Sequence, residues 1–190
     1  MTDRLPPLAP EHWSAEQRAA ADEVVRGPRG RLLAPFVPML RSPELMLHAQ
    51  RLGEYLRYRN ALGQRLTELA ILVTARHWTQ PVEWAIHAPI AQREGVAAET
   101  VAAIAAGRRP AQMTDDEALV HDFSFELLRT QTVGGATWRR AVARFGERGV
   151  VDLIGIAGYY GFLSMLMNAA HTPAPPSDAA PLQPLGPPTD

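Results

Sequence analysis

Residues 153–170 are 18 consecutive positions without a charged side chain, and no other stretch of the chain is like them. That run is long enough to be weighed as a membrane span. It also carries Gly155, Gly158, Gly161, Ser164 and Asn168 and follows directly on Asp152. Glycines at three-residue spacing allow another backbone to approach closely, so the stretch reads as a helix buried in a water-soluble core or at a subunit contact. A chain organised around such a helix must supply other apolar helix faces to cover it.

The rest of the sequence supplies them. Ser14-Ala-Glu-Gln17 and Thr114-Asp-Asp-Glu117 are capping boxes that open helices to about Val25 and Arg129. Ser42-Pro43-Glu44 opens a third, to about Asn60. Leu66, Leu69, Ala70, Val73 and His77 recur at three- and four-residue steps, the spacing of one helical face. Thr79 reads as the cap of the next helix, which Pro89 should kink or end near His87, because proline cannot donate to the carbonyl of Ala85. Further helices are expected over 97–106, 137–145 and 150–170, and no alternating Val/Ile/Thr run proposes a sheet. The expectation is an all-α fold in one helical domain, residues 1–171. Residues 172–190 hold seven of the 17 prolines and should form an extended tail.

Composition narrows the chemistry. Nineteen Lys and Arg against 20 Asp and Glu give a net charge of -1, which offers no overall positive field for nucleic acid or an anionic membrane. Neither is expected as a partner. The polar, proline-bearing N-terminus has no secretory pattern, so a cytoplasmic location is expected. There is no cysteine, which removes disulfides, thiolate metal sites and every thiol-based redox step.

Proton-handling groups remain. Glu83 and His87 stand at i and i+4, on one helical face and within reach of each other. A carboxylate beside an imidazole raises its basicity, although the same spacing also describes ordinary surface pairs. Gln80 lies one turn earlier, near the positive helix end where an anionic substrate is favoured. Glu68 sits in an otherwise apolar helix, which should raise its pKa and make it a proton donor. Arg29, between Gly27 and Gly30, has the fork geometry to clamp a carboxylate, or is simply solvated. His77 lines the same pocket or interacts with helix-end carbonyls. Trp84 is a pocket wall or an interface contact. Tyr159 and Tyr160 lend hydroxyls or belong to the core. A metal held by His77, Glu83 and His87 fits in residue type, but no ligand spacing such as His-Glu-x-x-His supports it, so no metal or cofactor is expected.

Glu68, Ala75-Arg76-His77-Trp78, Glu83-Trp84-Ala85-Ile86-His87 and the stretch from Gly158-Tyr159-Tyr160 to Asn168 together resemble the carboxymuconolactone decarboxylase family, within the alkylhydroperoxidase D-like superfamily. The resemblance covers residues 27–171. It implies an all-helical fold built around a helical hairpin, assembled as trimers or hexamers with sites near subunit contacts. Where the thiol peroxidase branch has Cys-x-x-Cys-x-x-x-His, this chain has Gln80, Glu83 and His87, and the family's relay glutamate matches Glu68. Peroxidase chemistry by thiols is thereby excluded. The resemblance implies a lyase, decarboxylase or isomerase of a small organic acid or lactone, with His87 as proton donor or shuttle, Glu83 as its partner and Glu68 as a second acid/base. The alternative is a non-catalytic member of the fold that binds a small molecule or acts as an oligomeric interaction module.

Overall fold

The computed structural model describes residues 2–184, so the last six positions of the expected tail lie outside the described residues. The described chain is helical. After a 3-10 turn at Pro10–His12 come α1 (Ala15–Arg26), α2 (Phe36–Met39), α3 (Pro43–Tyr58), α4 (Gln64–His77), α5 (Pro81–Arg93), α6 (Ala98–Ala105), α7 (Asp115–Thr130) and α8 (Gly135–Ala170), with no strand among the described residues.

Local chemistry sets most of these boundaries. Both capping boxes are formed, with Ser14 and Gln17 opening α1 and Thr114 and Glu117 opening α7. The two helices expected over 137–145 and 150–170 join into α8, whose one break is Gly146 at φ 68°, a left-handed value that glycine adopts without steric cost.

Packing centres on α4, which lies against α5, α6, α7 and α8. Every residue from Leu66 to Arg76 is buried. The three- and four-residue spacing suggested one apolar face, whereas α4 is enclosed on all sides, the situation of a core helix. Its polar side chains therefore need partners inside the protein. Thr67 and Thr74 donate to the carbonyls of Gly63 and Ala70, each at 2.8 Å. Glu68 has a larger role, described below.

α8, which holds the uncharged stretch, packs on α2, α3, α4 and α7. Its glycines divide the work. A Cβ on Gly155 would come within 3.0 Å of Leu56, and one on Gly161 within 3.3 Å of the Trp78 indole nitrogen, so both serve contacts inside the chain. Gly158 instead faces open space. Asp152, buried just before the stretch, accepts from the Tyr55 hydroxyl and the Ala61 amide, each at 2.9 Å, and fixes α8 to the α3–α4 turn.

Two expectations about α5 are corrected. Its cap is Gln80 rather than Thr79: Thr79 is held at φ 47°, in the left-handed turn out of α4, and its hydroxyl accepts from Arg76. The helix also neither ends nor breaks near His87 but runs through Pro89 to Arg93. The carbonyl of Ala85, which Pro89 leaves without its helical donor, accepts instead from the Ser177 hydroxyl at 2.7 Å. Residues 172–184 form no helix or strand, yet they are bound to the body. The Trp84 indole donates to the Ala180 carbonyl at 3.1 Å, and Arg76 to that of Gln183 at 2.8 Å. The tail thus supplies a donor that α5 lacks. Replacement Ser177→Ala should cost about 1 kcal/mol and speed cleavage within residues 172–184, as read by thermal unfolding and limited proteolysis.

Candidate active site

The α4–α5 pair brings Glu68, Glu83 and His87 together. Gln80 accepts from the amides of Val82 and Glu83 through its side-chain oxygen and donates from its nitrogen to Asn168 at 3.0 Å. This cap sets the first turn of α5, so Glu83 faces inward and His87 follows one turn later on the same side. His87 Nδ1 lies 2.6 Å from Glu68 Oε2, and Nε2 lies 3.3 Å from Glu83 Oε2. All three side chains are buried. The ring of Tyr160 meets His87 edge-on at 5.1 Å.

Electrostatics follow from this geometry. Burial by itself pushes His87 toward the neutral form, but the Glu68 carboxylate, and then Glu83, more than reverse it and raise the imidazole from its ordinary 6.5 to about 9. His87 is an imidazolium at neutral pH, held between two carboxylates. For Glu68 the expectation of a raised pKa is corrected. Burial does push it up, yet His87, the Arg57 guanidinium 3.9 Å away and the Gln64 amide at 2.9 Å together hold it below the usual carboxylate range. Glu68 is thus an ionised anchor, and His87 carries the proton.

Glu83 and His87 open onto a cavity of about 20 Å³, room for roughly one water molecule. Arg29, Arg57, Tyr159 and Tyr160 also line it, with Leu33, Pro35 and Phe36 from the segment between α1 and α3 forming one wall. Arg29 lies over the Phe36 ring at 5.0 Å and donates to the Gln50 side chain at 2.6 Å. Glu83 Oε1 is buried and has no hydrogen-bond partner among the described residues. A buried carboxylate oxygen is costly without a donor, and this one lies where the cavity can admit a donor group. A ligand larger than water enters only by moving one of these walls.

Several expected site residues are elsewhere. Gln80 spends its amide on the helix cap and on Asn168, and so does not face the cavity. His77, at the far end of α4, lines a different cavity, which also undoes the metal set of His77, Glu83 and His87. Trp84 points away from the site to hold the tail. Arg29 and Tyr159 do line the cavity, and Glu68 stands behind His87. Arg57 was not anticipated. A single arginine in the last turn of α3 has no local signature, and only the packing of α3 against α4 reveals its role.

No family model and no curated protein matches the chain. Among solved structures, a Cys-to-Ala variant of the debrominase Bmp8 in complex with 2,3,4-tribromopyrrole is similar over 92% of this chain and 93% of that one, with a TM-score of 0.68 and 15% identity. The likeness shows that the two chains share an all-helical fold.

The raised pKa of His87 links stability to pH. Its stabilising share is complete below the unfolded value near 6.5 and is lost as pH rises toward about 9. Unfolding free energy should therefore fall across that window, by at most about 1.4 kcal/mol per pH unit from this group. In His87→Gln this component of the slope should vanish, which denaturant titrations at several pH values would measure.

Proposed function

We propose that the chain is an acid–base enzyme acting on a small carboxylated or lactone-like compound, as a decarboxylase or isomerase. The observation that carries this reading is the buried Glu68–His87–Glu83 array, with one Glu83 oxygen unpaired at a cavity flanked by two guanidiniums. Counted as ionised, Arg29, Arg57 and His87 exceed Glu68 and Glu83 by one positive charge, and a monoanionic substrate neutralises that excess. Bidentate pairing with guanidinium favours a carboxylate.

In a decarboxylation on this plan the arginines hold the substrate carboxylate away from water. Carbon dioxide leaves, and the electron pair of the broken C–C bond passes into the conjugated lactone. The carbon then takes a proton from the His87–Glu83 pair, and His87 is reprotonated from solvent. Glu68 stays ionised throughout and keeps the ring oriented through Nδ1. The absence of cysteine rules out thiol steps for this chain, whatever its structural neighbour does.

Turnover is tested by carbon dioxide release and ultraviolet absorbance on carboxylated lactones and aromatic ring-cleavage acids. Glu83→Gln, close in shape, should keep the fold by circular dichroism and lose about 10²–10⁴-fold in kcat. His87→Ala strands two buried carboxylates and should lose stability as well as turnover. Full activity in Glu83→Gln would defeat the reading. Binding of these acids without turnover by the wild type would favour a non-catalytic binding module.

Assembly from several copies belongs to the same proposal. Val151, Ile154, Gly158 and Met165 form an exposed stripe along α8, and Leu45 and Leu52 are exposed on the neighbouring α3. An apolar stripe of this kind suits a second copy. Light scattering should give a mass above that of one chain, in keeping with a trimer or hexamer, and Ile154→Arg should lower it. A single-chain mass for the wild type at micromolar concentration would overturn this part.

A further inference from the structure

A cavity larger than the one at Glu83 and His87 lies away from their carboxylates. Arg76 and His77 follow Glu68 on α4 by about 12 Å of helix, and there α4, α6 and α7 enclose about 340 Å³. That volume is in the range of small-molecule sites, ~300–1,000 Å³. Val73, Ile104 and Leu128 give it an apolar lining.

Its charge is strongly one-sided. Four arginines, Arg76, Arg108, Arg109 and Arg129, line it beside a single carboxylate, Asp122. Asp122 is already held by Arg109 at 2.8 and 2.9 Å and by His121 at 3.1 Å. Arg76 is only 5% exposed. Its three bonds go to neutral acceptors, the carbonyls of Ala105 and Gln183 and the Thr79 hydroxyl, and its Nε has no partner among the described residues. A buried guanidinium without an anion is costly, because neutral acceptors do not compensate the charge removed from water.

An aromatic surface stands beside these cations. Phe125 is 42% exposed, with the His121 ring stacked on it at 5.9 Å and the Arg129 guanidinium 5.6 Å from its centroid. Flat ligands gain from such stacking. We propose that this cavity is a second binding site, separate from the Glu83–His87 cavity, for an aromatic carboxylate whose ring lies on the Phe125 side and whose charge meets Arg76 and Arg108.

The probe is 2-naphthoate, titrated calorimetrically into the full chain, with neutral 2-naphthamide for comparison. One naphthoate per chain should bind. Affinity should fall at least about tenfold for the amide and for the double variant Arg108→Gln/Arg129→Gln, and stay unchanged in Arg29→Gln at the other cavity. Both altered arginines of the double variant are exposed, so its fold should survive, as circular dichroism checks. The proposal is overturned by any of four results: no saturable binding, equal binding of the amide, loss in Arg29→Gln but not in the double variant, or a double variant that changes only the oligomeric mass. The last would make the cavity a contact between copies.

Discussion

The imidazolium of His87 between Glu68 and Glu83 is the interaction on which the remaining arrangement depends. Three ionisable side chains removed from water are tolerated only if each charge meets its opposite at hydrogen-bond distance. The 2.6 Å contact to Glu68 and the 3.3 Å contact to Glu83 meet that demand only while α4 and α5 keep their register. Arg57 and Gln64 complete the surroundings of Glu68, which ties α3 into the same network. What is left uncompensated is one oxygen of Glu83, and it lies at the cavity.

Holding that register takes several devices around α5. Gln80 caps its N-terminus and is itself pinned to Asn168 of α8. Pro89 removes a main-chain donor two residues past His87, and Ser177 provides a replacement for the carbonyl left behind as the helix continues. The tail is therefore part of the fold rather than an appendage. It crosses from Ala85 and Trp84 on α5 to Arg76 on α4, and so touches elements of both cavities.

A net charge near zero conceals a local imbalance. The sequence total of -1 argues against broad polyanion binding, yet arginines collect at two places where the chain is concave. At the smaller cavity their charge is largely offset by Glu68 and Glu83. At the larger one only Asp122 opposes four guanidiniums. The two places thus differ in kind, one built around a buried imidazolium between carboxylates and the other around largely unopposed guanidiniums.

Much of the helical plan was legible in the chain itself. The capping boxes at Ser14 and Thr114 are local hydrogen-bond patterns and need no distant partner, and Glu83 and His87 share a face through helix geometry alone. Glu68 was marked by standing among apolar neighbours, but that environment suggested a raised pKa, because the opposing charges of His87 and Arg57 come from other helices. Gln80 gave no sign that Asn168, 88 positions away, would take up its amide. His77 and Glu83 are six residues apart in sequence, yet a left-handed turn at Thr79 sends them to different cavities. Hydrogen bonds within a turn, and the spacing of one helical face, are properties of the sequence. The charge state of a buried group and the cavity it meets are decided only when helices pack, since both depend on what distant segments bring within a few ångströms.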